Sequence, residues 1–315
     1  MKGLTDIPGI KVGHISDFES ITGCTAILCE DGAVGGVDIR GSASGTQETP
    51  TLHPGHVDPV AHAIVLAGGS AFGLEAASGV RRYLERRGKG LVTPAGRIPI
   101  VPAAILYDLG IGKPLPRPDL AMGEAAAAAA STDAVGEGCV GAGTGATVGK
   151  ALGFRQAMKS GIGSYTVTLP GGVMVASLVA VNAFGDVRDP ATGKIIAGAR
   201  KSPDSREFAD AEEVIRNRAP APLVRQNTTL AVVATNARLD KVEVTKLAQF
   251  ASLGMARAIY PVNTMNDGDT TFALALGDRR ADINTLGSAA SEAVVQAILR
   301  AVRLAKSMGG LPAMG

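Results

Sequence analysis

The near absence of aromatic side chains is the strongest constraint on what this chain can fold into. Tryptophan is missing, and aromatic residues make up only 3% of the 315 residues. Hydrophobic residues still make up 46% and charged residues 19%, so the chain can bury a large core made of Ala, Val, Leu and Ile. Because the chain also contains 41 glycines, we predict helices and strands that pack at close range.

Charge and cysteine usage exclude several classes of protein. The formal net charge is only +2, which indicates no surface for nucleic acid. The densest basic cluster is better explained as the solvated face of a helix; it comprises Arg81, Arg82, Arg86, Arg87 and Lys89. No apolar run is long enough to span a bilayer, and residues 1–20 lack the apolar segment of a signal peptide.

The cysteines Cys24, Cys29 and Cys139 have neither metal-ligand spacing nor the pattern of a disulfide framework. His53 and His56 could bind a metal, but no carboxylate partner is evident, and a solvated loop is the better interpretation. We therefore expect a soluble, cytoplasmic protein with no metal, no cofactor and no membrane or nucleic-acid partner.

Short β-rich runs alternate with Ala-rich helical stretches, which favours an α+β fold in a single domain, 1–315. Between 198 and 227 the sequence is polar and contains three prolines, so we interpret it as a flexible linker. Residues 228–315 then read β-α-β-α and open abruptly on a strand. Strands are predicted at 63–67, 165–169, 173–182, 194–197, 228–235 and 270–276, and helices at 74–87, 120–131, 242–259 and 286–307.

The junction of linker and strand reads Gln226-Asn227-Thr228-Thr229. A threonine hydroxyl can attack the carbonyl that precedes it, and hydrolysis of the resulting ester would free Thr228 as a new N-terminus. Its α-amine, with an ordinary pKa of about 8, can then serve as the base for its own hydroxyl. From spacing alone, a β-branched strand start is the commoner explanation, but a cut after a long polar segment would leave the core intact.

Asp267 and Asp269 flank Gly268 just before the next strand. In extended backbone, residues two apart face the same side, and paired carboxylates can hold an ammonium and a hydroxyl. Their mutual repulsion can also raise the pKa of one of them. A polar turn explains the pattern about equally well, whereas a calcium loop would need further oxygen ligands that are absent.

Two further polar residues are candidates for the site: Asn182, which ends an apolar segment, and Lys150, which ends a Gly-rich one. Asn182 closes an apolar strand, where its amide could donate to an oxyanion or simply form a turn. Lys150 ends the Gly-rich run 138–150, which fails both the Walker and the dinucleotide-binding patterns. We interpret that run as a close-packed loop that presents Lys150.

The strand-to-helix turn at Gly68, Gly69 and Ser70 is the remaining candidate. Its backbone N–H groups could face a substrate, and tight packing alone is the equal alternative.

Five segments occur in an order typical of one family: 63–80 (AIVLAGGSAFGLEAASGV), the Gly-rich loop ending in Lys150, 179–187 (VAVNAFGDV), 227–236 (NTTLAVVATN) and 267–274 (DGDTTFAL). Together they resemble the L-aminopeptidase/D-esterase family, which includes β-peptidyl aminopeptidases, the nylon-oligomer hydrolase and a pantetheine hydrolase. The opening LTDIPGIKVGH (4–14) also looks like that family's N-terminus, so the resemblance covers nearly the whole chain.

The resemblance implies a four-layer αββα sandwich, similar to N-terminal-nucleophile hydrolases but with a different strand connectivity. It implies autocleavage into a large chain, 1–227, and a small chain, 228–315, which stay associated, often as a homo-oligomer (a tetramer of such pairs). Carried over by position, Thr228 is the nucleophile, Asn182 contributes to the oxyanion hole and Lys150 lies near the site. Asp267 and Asp269 orient the amine and the hydroxyl.

Typical aminopeptidases of this family cut before Ser and have a hydroxyl and a carboxylate at the positions of Asp267 and Asp269. Thr228 and the aspartate pair are more similar to the nylon-oligomer branch. The expected function is hydrolysis of amide bonds in small peptides or amides. Two alternatives stay open: an acyltransferase similar to ornithine acetyltransferases, which also cut before Thr, and a non-catalytic protein that binds a small molecule with its Gly-rich loops.

Overall fold

The computed structural model describes residues 2–57, 60–217 and 226–314. Within these ranges the strands are β1 (Lys11–Asp17), β2 (Thr22–Ile39), β3 (Thr46–Gln47), β4 (Val60–Ala67), β5 (Leu91–Thr93), β6 (Gly96–Ile98), β7 (Ala103–Ile105), β8 (Thr147–Val148), β9 (Met158–Lys159), β10 (Ile162–Thr168), β11 (Met174–Asn182), β12 (Asp186–Arg188), β13 (Ile195–Ala197), β14 (Thr228–Ala237), β15 (Ile259–Tyr260) and β16 (Thr270–Arg279). The helices are α1 (Glu75–Arg86), α2 (Leu120–Ala128), α3 (Ala211–Asn217), α4 (Lys241–Ala258) and α5 (Ile283–Arg303).

Two packed sheets share the long strand β2. Its C-terminal half pairs with β16 and completes a sheet in the order β10-β11-β14-β16-β2. A register shift between Leu28 and Ala33 bends the strand, and its N-terminal half pairs with β1 and β4, which continue to β7 and β3. The first sheet is covered by α4 and α5, and the second by α1 and α2. The four layers are the αββα sandwich that the family resemblance implies.

Side-chain alternation along the central strands separates the core into layers. On β14, Leu230 and Val232 face the opposite sheet, whereas Ala231 and Val233 face α4 and α5. Because all ten residues of β14 are buried, both faces of the strand are packed, as its continuous apolar sequence predicts.

Close approach of helices to sheets confirms the packing predicted from the glycine and alanine content. A Cβ added to Gly163 on β10 would lie 2.1 Å from the carbonyl oxygen of Ala297 on α5. On the other side of the sandwich, a Cβ on Gly13 of β1 would lie 2.0 Å from the carbonyl oxygen of Ala126 on α2. Helices and sheets therefore lie so close together that no space is left for large aromatic side chains, and the core is filled without them.

The first part of the segment interpreted as a linker is packed against the body of the chain. Ala199 and Ala211 donate their backbone N–H groups to the two carboxylate oxygens of Asp186, each at 2.7 Å. The helix α3 follows from Ala211, and residues 218–225 lie outside the described residues. Two bonds to Asp186 and a small apolar cluster of Ala199, Ala211 and Val214 with Ala151 and Phe184 hold this part, so its packing comes from tertiary contacts that the local sequence pattern does not show.

No helix in the described ranges is long and apolar enough to cross a membrane.

Replacing Gly163 with Ala should destabilise the protein by about 1–3 kcal/mol, because the added methyl group would meet backbone atoms of α5 that cannot rotate away. Thermal unfolding of the purified variant measures this. Gly55→Ala is the matched control, since an added Cβ there meets only His53 at 3.5 Å. Equal melting temperatures for the two variants would contradict the close packing.

Candidate active site

Thr228 is the first residue of β14, directly opposite Asn182, the last residue of β11. Both side chains are buried. The Thr228 hydroxyl donates to the carbonyl oxygen of Asn227 at 2.5 Å. The Thr228 hydroxyl therefore lies against the peptide bond that precedes it, at the end of the strand where Asn182 is its partner.

A second donor binds the same carbonyl oxygen. The backbone N–H of Gly268 donates to Asn227 O at 2.8 Å, within a parallel bridge between Asn227 and Asp267. A Cβ on Gly268 would lie 2.8 Å from Thr228 Oγ1, so only glycine leaves room for the hydroxyl at this position. The Asn227 carbonyl is therefore polarised by a backbone donor while a hydroxyl lies beside it.

The amide of Asn182 is oriented from both sides. Its Oδ1 accepts from Lys150 Nζ at 2.8 Å and from the backbone N–H of Thr147 at 3.1 Å. Its Nδ2 donates to the carbonyl oxygen of Tyr107 at 2.9 Å and to that of Gln226 at 3.5 Å. The nitrogen therefore faces the segment that carries the Asn227–Thr228 bond.

The Gly-rich loop presents Lys150 as the sequence predicts. Gly149 has φ +73°, and a Cβ there would lie 2.0 Å from the carbonyl carbon of Gly198. Lys150 Nζ also donates to the backbone oxygen of Asn182 at 2.9 Å. Burial lowers the pKa of Lys150 to about 7, against the opposing effect of the Asp267 and Asp269 carboxylates. The ammonium can therefore give up its proton near neutral pH.

Asp267 and Asp269 are both buried, and backbone donors hold each of them. Asp267 accepts from the N–H of Phe184 at 3.1 Å and from the hydroxyl of Thr264 at 2.5 Å. Asp269 accepts from the N–H of Thr229 at 2.6 Å, next to Thr228. Burial raises the pKa of both carboxyls, and the charge of Asp267 raises that of Asp269 further, to about 7.

The predicted substrate-binding turn lies beside this centre with its backbone donors in use. The N–H of Gly68 donates to Gly23 O at 2.9 Å and that of Ser70 to Leu106 O at 3.0 Å. The N–H of Gly69 donates to the carboxylate of Asp108 at 2.7 Å. All three N–H groups therefore have acceptors within the chain, and the structure does not show them facing a ligand, contrary to the expectation from the sequence. A role for the turn in substrate binding stays a prediction.

Three contributors to the site are not singled out as site residues by the sequence analysis, although Gly268 and Thr147 lie within motifs that it names. Gly268 and Thr147 act through their backbone N–H groups and Tyr107 through its carbonyl oxygen. The only sequence signal for Gly268 is that it separates the two aspartates. His62 is buried and His14 is half-buried, and neither takes part in the contacts described above. The described residues contain no group of three or more His, Cys, Asp or Glu side chains that could hold a metal ion.

Similarity to known proteins covers almost the whole chain. The model of peptidase family S58 matches residues 2–313. An uncharacterised aminopeptidase of Mycobacterium leprae is 38% identical over 348 aligned positions, which span 99% of this chain and 93% of that protein. A 6-aminohexanoate-oligomer endohydrolase of a Kocuria species is 32% identical over 317 positions, which span 95% of this chain and 85% of that protein.

Solved structures share the fold. A β-aminopeptidase of a Burkholderia species superimposes with a TM-score of 0.70 at 23% identity and covers 100% of this chain and 91% of its own. The L-aminopeptidase D-Ala-esterase/amidase of Ochrobactrum anthropi, described as a new variant among the Ntn hydrolase fold, gives a TM-score of 0.72 at 20% identity, with 99% and 88% covered. From the family match and the extent of these relatives, the chain belongs to peptidase family S58 and is an amide-bond hydrolase.

Proposed function

We propose that the chain cuts itself between Asn227 and Thr228 and that Thr228 then acts as an N-terminal nucleophile. The observation that carries this proposal is the 2.5 Å contact between Thr228 Oγ1 and Asn227 O, an oxygen that the Gly268 N–H also holds. The hydroxyl adds to the Asn227 carbonyl carbon, and the C–N bond breaks as the nitrogen takes up a proton. Water then hydrolyses the ester and leaves an Asn227 carboxylate and a free Thr228 amine and hydroxyl.

After the cut, the same atoms serve an incoming amide. The Thr228 amine accepts the proton of its own hydroxyl, and the hydroxyl attacks the substrate carbonyl. The Gly268 N–H donates to Asn227 O, and Asn182 Nδ2 contacts the preceding carbonyl, that of Gln226, so these two donors are placed to bind the oxyanion. Lys150 and the aspartate pair supply the charges around the amine.

The substrate class follows from the relatives and from the aspartate pair. Relatives at 32–38% identity are named aminopeptidases and 6-aminohexanoate-oligomer endohydrolases. We propose that this chain hydrolyses small peptides or linear amides with an amino group near the cleaved bond, because the two buried carboxylates favour a cation. A panel of amino-acid p-nitroanilides, β-peptides and aminohexanoate oligomers, assayed with cut protein, tests this; hydrolysis of none of them would contradict it.

Assembly and location are further proposals. The family resemblance supports a tetramer of cut pairs, and analytical ultracentrifugation of the cut protein tests it. The three cysteines are buried and unpaired, which supports a reducing compartment such as the cytoplasm.

Thr228→Ala should remain a single chain without activity, because it loses the only hydroxyl that touches Asn227 O among the described contacts. Intact-mass analysis should show wild-type fragments 1–227 and 228–315. Thr228→Ser keeps a hydroxyl and should still be cut, and Thr229→Val, which removes the neighbouring hydroxyl, should be cut as well. Cleavage of Thr228→Ala would contradict the proposal.

Asn182→Ala should lower kcat by about 10²–10³-fold with a much smaller change in KM, because the amide acts on the transition state. Steady-state kinetics on cut protein measure this. Asn236→Ala is the matched control: Asn236 is a buried amide near the far end of β14 that bonds Met174 and Gly172. Its loss should lower stability but leave kcat within about twofold of the wild type. A change confined to KM in Asn182→Ala would count against the oxyanion role.

Asp267→Asn and Asp269→Asn should each slow chain cutting, because before the cut a carboxylate of the pair helps to activate the Thr228 hydroxyl. Each should also lower kcat, because after the cut the pair holds the Thr228 amine near the hydroxyl. The exposed Asp204→Asn should do neither. A time course of chain cutting by gel, followed by kinetics, compares the three.

The same pair gives a pH dependence of known sign. Folding raises the pKa of Asp269 from 3.8 to about 7, so the folded state favours the protonated carboxyl. That stabilisation is full below pH 3.8 and is lost as the pH rises through 7. As the pH rises from 3.8 to 7, the melting temperature of the Thr228→Ala chain should therefore fall relative to that of the Thr228→Ala/Asp269→Asn chain. A constant difference between the two would show that Asp269 does not titrate as stated.

A further inference from the structure

Asp108 is a buried carboxylate that the proposed chemistry leaves without a role. It is 4% exposed, and its Oδ1 accepts from the Gly69 N–H and its Oδ2 from the Thr22 hydroxyl, both at 2.7 Å. Two glycines make room for it: a Cβ would lie 2.0 Å from Oδ2 on Gly68 and 2.6 Å on Gly145. The Asp108 carboxylate therefore occupies a space that would be closed by a side chain at Gly68 or Gly145.

Asp108 fixes one end of a three-residue segment whose middle residue reaches the active site. At the other end, Leu106 O accepts from the N–H of Ser70, which has a left-handed φ of 55°. Between them, Tyr107 O accepts from Asn182 Nδ2 at 2.9 Å. Both ends of the segment are therefore tied to the turn at Gly69 and Ser70, and the Tyr107 carbonyl points at Asn182.

We propose that Asp108 is a positioning residue that, through the Tyr107 carbonyl, holds the Asn182 amide with its nitrogen towards the reacting carbonyl. This inference rests on the proposed oxyanion role of Asn182. An amide that rotates about its terminal bond exchanges oxygen for nitrogen, and the oxygen would repel an oxyanion. A carboxylate binds an N–H donor more strongly than a neutral acceptor does, so it is suited to fixing the segment.

Charge supports the same assignment. Burial raises the pKa of Asp108 to about 6, so the group is ionised at neutral pH, and Lys159 is the cation that opposes this shift. The Asp108 charge also favours the ammonium of Lys150, which donates to Asn182 Oδ1, although burial, Asp267 and Asp269 affect that pKa more.

A double-mutant cycle on kcat tests the inference. Asp108→Asn keeps the shape but removes the charge, and we expect kcat to fall about tenfold with KM changed less than about twofold. In the Asn182→Ala background the same change should lower kcat by less than about twofold, because the amide that it positions is gone. If a variant is cut too slowly to give enough cut protein for steady-state kinetics, the cycle is measured on the rate of chain cutting, since Asn182 Nδ2 also contacts Gln226 O beside the cut.

Asp186→Asn is the matched control, because Asp186 is also buried, also accepts one hydrogen bond on each carboxylate oxygen and contacts neither Asn182 nor Tyr107 in the described hydrogen bonds. Its effect on kcat should be the same in both backgrounds. Thr22→Val removes one bond to Asp108 and keeps its charge, and it should show a smaller loss that also disappears with Asn182→Ala; it carries the test if Asp108→Asn does not fold.

Equal losses for Asp108→Asn in both backgrounds would overturn the inference and leave the proposed function standing. A wild-type chain that neither cuts itself nor hydrolyses any amide would instead overturn the proposed function.

Discussion

The pairing of β14 with its two neighbours is the constraint on which the rest of the site depends. β14 runs antiparallel to β11 and parallel to β16, and both of its faces are buried. A shift of one residue would turn every apolar side chain to the wrong layer, so the register is strongly specified. This register sets Thr228 opposite Asn182 and brings the turn before β16 alongside Asn227. The surroundings of the Asn227–Thr228 bond are therefore a consequence of core packing.

Side chains of the site could be predicted from the sequence, whereas its backbone contributors could not. Thr228, Asn182 and Lys150 stand at recognisable junctions between an apolar segment and a polar or Gly-rich one, and the structure places them together. Gly268 and Tyr107 contribute an N–H and a carbonyl, which every residue type offers except that proline lacks the N–H. Their roles come from tertiary position alone. The strand and helix predictions agree with the structure to within a few residues at most ends, because the apolar periodicity is strong there.

The predictions failed where polar residues interrupt a regular element. From the sequence, no strand is predicted between residues 22 and 39, where β2 continues through the polar residues Glu30 and Asp31. The irregularity there is the place where the strand passes from the first sheet to the second. Likewise the polar segment after residue 198 shows no periodicity, yet Asp186 holds its described part through two backbone N–H groups. In both places long-range pairing overrides a local signal.

Strand order also explains why a cut at residue 227 would leave the two chains together. The small chain would contribute β14 and β16, which pair with each other and are flanked by β11 on one side and β2 on the other, both from the large chain. Its helices α4 and α5 cover strands of both chains and share one apolar cluster with them. Separation would expose that cluster and break two rows of sheet hydrogen bonds, whereas the cut itself removes one peptide bond at the start of a strand. The fold would therefore tolerate a loss of chain continuity at the point where the hydroxyl of Thr228 lies against the backbone.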